Sequence, residues 1–98
     1  MVVEFLKRGK QKAIPSKQLA KMVGCKNVRD LRTLVSKERQ QGAVILSTSR
    51  NGGGYYLPAN AEEVQEFIRT LDARARHTFL ALRSARKYLK EIENVDEN

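Results

Sequence analysis

The side chains best placed to do chemistry lie between Lys26 and Gln40, and that chemistry is the binding of anions. On a helical wheel centred on Leu31, the far side carries Lys26, Arg29, Thr33, Ser36, Lys37 and Gln40, with Asp30 and Arg32 at its flanks. Lys and Arg neutralise phosphates, and Arg also donates paired hydrogen bonds to one planar edge. Covalent and metal chemistry have no such constellation. His77 is the only histidine, set between Arg76 and Thr78 with no second ligand one turn on, and Cys25 is the only cysteine. The run Gly52, Gly53, Gly54 is not followed by the Lys-Ser or Lys-Thr of a phosphate-binding loop. No nucleophile stands with a base to activate it. The sequence predicts no enzyme, no metal and no cofactor.

Two helices joined by a tight turn must hold that anion-binding face. Ser16 is expected to cap the first, whose apolar positions Leu19, Ala20 and Val23 recur at helical spacing, and Gly24 to stop it. Asn27 is expected to cap the second, in which Val28, Leu31, Leu34 and Val35 repeat at three- and four-residue intervals up to Gly42. This is a helix-turn-helix pattern. Before it, Val2, Val3, Phe5 and Leu6 predict a short first helix ending near Gly9, followed by a basic connector from Lys10 to Ala13 and an inward-pointing Ile14. After it, AVILSTS, the turn signal Asn51-Gly52-Gly53-Gly54 and YYLP predict a β-hairpin. Tyr55 and Leu57 share its core face and Tyr56 points away, whereas the outgoing strand can turn in either Ala43 with Ile45 or Val44 with Leu46.

Charge follows the motif. Residues 1–57 hold 12 Lys or Arg against Glu4, Asp30 and Glu38, while residues 58–98 hold 7 against 8 acids, within a total of +8. Such a field steers polyanions, of which nucleic acid is the commonest large one in a cytoplasm. Ninety-eight residues make one small domain without room for a second of full size. A single cysteine leaves no internal disulfide, no apolar run approaches the roughly 18 residues of a membrane span, and MVVEFLKRGK is too short in its apolar part for a secretory signal. A cytoplasmic, reducing home is expected.

Helix, then IPSKQLAKMVGCKNVRDLRTLVSKERQQG, then a hairpin closing in GGGYYL resembles a winged helix-turn-helix DNA-binding domain over roughly residues 2 to 58. In layout it is similar to the amino-terminal domain of the biotin repressor and to small winged-helix proteins of phages and prophages. The resemblance implies an α+β fold of three helices plus a hairpin wing. It also implies that the helix from Asn27 to Gln41 is the recognition helix in the major groove, with Lys26, Asn27, Arg29, Asp30, Arg32, Thr33, Ser36, Lys37 and Gln40 near DNA. Ser49, Arg50 and Asn51 would lie on the wing beside it. Cys25 falls where such turns carry a small apolar residue.

The domain of residues 1–58 is followed by residues 59–98, which contain no glycine or proline. Asn60 and Glu63 form a capping pair for a helix starting at Ala61. Val64, Ile68, Leu71, Ala75, Thr78, Leu82, Ala85, Leu89 and Ile92 alternate steps of four and three, a heptad-like seam. Val64, Phe67 and Ile68 are expected to pack on the first domain, and Asp72 offers a site for a bend into a second helix. Dimerisation or a helix-hairpin would bury the rest, with Leu71, Ala75, Thr78, Leu82, Ala85 and Leu89 at the contact and a frayed acidic tail from Glu93. Two function classes follow. One is a sequence-specific double-stranded DNA-binding protein, a transcriptional regulator or replication-origin binder acting as a homodimer with half-sites about 34 Å, or a multiple of that, apart. The other is an assembly component, similar to the small recognition subunit of a phage packaging motor. Neither involves a membrane.

Overall fold

The computed structural model describes residues 1–49 and 52–97, with side chains as far as Asn94. Its secondary structure is α+β. Two 3₁₀ turns, Val2–Phe5 and Lys10–Lys12, precede helices α1 (Ser16–Val23) and α2 (Val28–Gln40); strands β1 (Leu46–Thr48) and β2 (Gly54–Tyr56) then form an antiparallel hairpin before helix α3 (Ala61–Glu97). The chain divides into two units, Met1–Phe67 and Ile68–Asn98.

In the first unit α1 and α2 meet through their apolar stripes. Leu19, Leu31 and Val35 are fully buried together with Val2 and Ile45, each burial stabilising the fold by about 1.5 to 3 kcal/mol. Ser16, expected as the cap of α1, is its first helical residue instead; Pro15 holds the cap position without a side-chain bond. Proline suits that entry because its φ is fixed and it has no amide to leave unpaired. Gly24 ends α1 in the left-handed region at φ 93°, where its N–H and that of Cys25 both donate to the Ala20 carbonyl, at 3.0 and 2.8 Å. The Asn27 side chain caps α2 by accepting from the Asp30 N–H at 2.8 Å. Cys25 is half-buried against the core, as expected of a turn residue.

The expected first helix is only the 3₁₀ turn Val2–Phe5, and its backbone explains why. Glu38 on α2 is 3% exposed, and its carboxylate accepts from the Val2 N–H at 2.8 Å and the Val3 N–H at 3.3 Å. Beyond Leu6 the chain is extended, and Leu57 takes its backbone groups: the Leu57 N–H donates to the Lys7 carbonyl and the Gly9 N–H to the Leu57 carbonyl, each at 2.8 Å. Glu38 caps first-turn amides that any helix leaves free, whereas the Lys7 carbonyl and the Gly9 amide, spent on Leu57, cannot extend the turn into a longer helix. Glu38→Ala is expected to cost about 2 to 4 kcal/mol in chemical denaturation, because one buried and one half-buried amide lose a charged acceptor, and Glu38→Gln roughly half as much. A loss below about 0.5 kcal/mol for the alanine variant would show that the carboxylate does not hold this turn.

The hairpin pairs Leu46 with Tyr56, Ser47 with Tyr55 and Thr48 with Gly54. Ala43 and Ile45 face the core with Tyr55 and Leu57, whereas Val44 is half-exposed. Tyr56 does point away from that core, yet it is buried together with Leu46, so this sheet face is covered too. The tyrosine sits close enough to Glu63 and Glu66, on the first turns of α3, that burial first and these carboxylates second raise its pKa. Ile14, buried as expected, exchanges two backbone hydrogen bonds with Tyr55 at 2.9 and 3.0 Å. A Cβ on Gly54 would lie 2.6 Å from the Ile14 carbonyl oxygen, so only glycine permits this approach.

Asn60 and Glu63 cap α3 as expected: the Glu63 N–H donates to Asn60 Oδ1 at 3.0 Å. The Glu63 carboxylate also accepts from the Ala59 and Lys10 amides, both at 2.9 Å. Val64 and Phe67 are half-buried within the first unit, and the Arg39 guanidinium stands 5.1 Å above the Phe67 ring. The helix then continues past Asp72 without a second start. In the second unit every described side chain is exposed, including Ile68 at 50%. Among the described residues no helix is long and apolar enough to cross a membrane.

Candidate nucleic-acid interface

Helix α2 buries Leu31, Val35 and Glu38, and this fixes what its opposite side presents. Arg29, Asp30, Arg32, Thr33, Ser36, Lys37 and Gln40 are all exposed there, and Lys26 and Asn27 are exposed in the turn ahead of it. Arg32, Thr33, Ser36, Lys37 and Gln40 together line one shallow depression. The structure thus brings the expected α2 residues together on one surface.

Two of these side chains are partly committed. Asn27 spends its carbonyl oxygen on the cap of α2. The Thr33 hydroxyl donates to the Arg29 carbonyl at 3.2 Å, one turn back, which leaves its oxygen lone pairs as acceptors and its methyl outward for contact. Asp30, in the first turn, suits the positive end of the helix dipole and offers an acceptor among the donors. On the hairpin Ser49 is exposed, while Arg50 and Asn51 lie outside the described residues.

Among the described residues, three cations of residues 1–57 are held by the protein's own acceptors. Arg8 donates to the Pro58 carbonyl at 2.9 Å, Lys10 pairs with Glu66 at 2.7 Å, and Arg39 donates to the Ile45 carbonyl at 2.8 Å. Arg8 is exposed all the same, as are Lys7, Lys12, Lys17, Lys21, Lys26, Arg29, Arg32 and Lys37. Lys7 and Lys12 share a depression with Pro15 and Gln18 at the start of α1. The sequence reading missed this pair because the two lysines meet only through the extended segment that Leu57 fixes. It also missed Glu38 and Arg39, whose partners are 36 and 6 residues away.

On α3, Leu71, Ala75, Thr78, Leu82, Ala85 and Leu89 are exposed along the helix. Among the described residues no cluster of His, Cys, Asp or Glu has the makings of a metal site. Comparison with known proteins gives no match, whether to a family model, a curated protein or a solved structure.

Proposed function

We propose that the protein is a sequence-specific double-stranded DNA-binding protein, built as a winged helix-turn-helix, that acts as a homodimer through its carboxy-terminal helix. A regulator of transcription or a replication-origin binder of the phage or prophage kind is the role this suits. The observation that carries the reading is the continuous exposed row from Lys26 to Gln40 on a helix whose other side is buried, with exposed lysines on α1 beside it in sequence. In this reading α2 enters the major groove and the hairpin is the wing. Arg29 donates two hydrogen bonds to a guanine edge, and Thr33 uses its free lone pairs or its methyl on a neighbouring base. Lys37 and Arg50 meet phosphates, which position the protein without reading sequence.

Selection of bound sequences from a random duplex pool tests this. One enriched motif with two related half-sites is expected. Arg29→Ala and Thr33→Ala should each lose on the order of 1 to 3 kcal/mol of discrimination at one base pair, whereas Lys37→Ala and Arg50→Ala should weaken all sequences alike. No enrichment, or a site preference that survives Arg29→Ala and changes with Arg50→Ala, would overturn the assignment of α2 as the reading element.

A further inference from the structure

The exposed seam of the second unit has a symmetry of its own. From one end it reads Ile68, Leu71, Ala75, Thr78; from the other, Ile92, Leu89, Ala85, Leu82. The larger members are well exposed, with Ile68 at 50%, Leu71 at 41%, Leu82 at 44%, Leu89 at 54% and Ile92 at 42%. Resting on the homodimer reading above, we propose that a second copy of this chain covers the seam antiparallel, with its two-fold axis level with Leu80. Ile68 then meets the partner's Ile92, Leu71 the partner's Leu89, Ala75 the partner's Ala85 and Thr78 the partner's Leu82. In a two-fold contact every such pair occurs twice, so a sequence palindrome becomes matched layers.

The flanking residues choose the same alignment. In antiparallel helix pairs the positions beside the seam face their own kind across the interface. Asp72 therefore faces the partner's Arg86, and Arg74 faces the ring of the partner's Tyr88. Phe79, 62% exposed in the single chain, packs beside the partner's Phe79 across the axis. Asp72 is the only acid among residues 69–90, against seven Lys or Arg, and this alignment gives it a cation. Sliding the copies by one heptad sets Asp72 against the partner's Glu93, with Leu82 opposite the partner's Ala85, or against the partner's Phe79, with Ile68 opposite the partner's Ala85. An in-register parallel pair places Arg86 beside the partner's Ala81 and leaves the arginine without an opposite charge. Leu80 lies on the outer side of the helix and stays in water.

Two measurements on the full chain test the pairing. In a Cys25→Ala background, chains carrying Ala75→Cys and chains carrying Ala85→Cys are refolded alone or mixed, then oxidised. The mixture is expected to give roughly fivefold more disulfide-linked dimer than either chain alone, since only the 75 to 85 contact brings the cysteines within bonding range. Asp72→Arg and Arg86→Asp should each raise the dimer dissociation constant roughly tenfold, and the double swap should restore it to within about twofold. The two positions are about 21 Å apart on one helix, so rescue can only act between chains. Ala75→Cys chains linking to themselves in a stable dimer, or no rescue by the double swap, would overturn the antiparallel pairing alone. A wild-type monomer in light scattering would overturn the homodimer reading as well.

Discussion

Raising the salt concentration from 50 to 200 mM is expected to weaken duplex binding by roughly two to four orders of magnitude for each subunit engaged. Each phosphate neutralised on B-DNA releases condensed counterions and contributes a log-log slope near −0.9, and about 4 to 7 such contacts per subunit set the range. The upper end is bounded by the surface. Among the described cations of residues 1–57, Arg8, Lys10 and Arg39 are held by the protein's own acceptors, and eight others are exposed. Alanine at both Lys7 and Lys12 should lower the slope by about 1 to 2 without changing the preferred sequence. Fluorescence anisotropy over a salt series decides the matter, and a flat response, or no binding at low salt, would remove nucleic acid as the partner.

Leu82→Glu is expected to yield a folded monomer that binds single half-sites but loses at least about a hundredfold at paired ones. Burying Leu82 from two chains contributes roughly 3 to 6 kcal/mol, about 1.5 to 3 for each side chain, and the substitution sets two carboxylates in that position instead. The rest of the fold should be untouched, because Leu82 is 44% exposed in the single chain and lies in the second unit. Light scattering at micromolar concentration separates the outcomes. A wild-type dimer that becomes a monomer is the expected result. A wild-type monomer would remove the oligomer, and a ring of many copies would favour the packaging-type assembly reading over the regulator.

What the sequence made legible was local. Gly24, Asn27 and the pair Asn60 and Glu63 act within a turn of their own positions, so residue type and spacing suffice to place them. The row from Lys26 to Gln40 was legible for the same reason, since one helical period fixes both the buried and the exposed side. The 3₁₀ turn at Val2–Phe5 was not, because its acceptor Glu38 is 36 residues away and is buried despite its charge. Tyr56 alternates correctly along its strand, but nothing in that alternation says that the start of α3 lies over the second sheet face. Summing charge over residues 58–98 concealed another feature: seven cations and one acid occupy residues 69–90, and the remaining acids lie on either side.

The small seam layers at Ala75 and Ala85 bear on dose. Antiparallel helices that meet through two alanine layers and two Thr–Leu layers bury less apolar area than leucine layers throughout would. In the proposed dimer, at concentrations below the dissociation constant, the dimer population rises as the square of total protein. A fourfold increase in copy number then delivers about sixteen times as many dimers to a paired site. On the proposed reading, occupancy switches over a narrow span of expression, and a single methyl-sized change at Ala75 or Ala85 would move that threshold without touching the α2 face proposed to meet DNA.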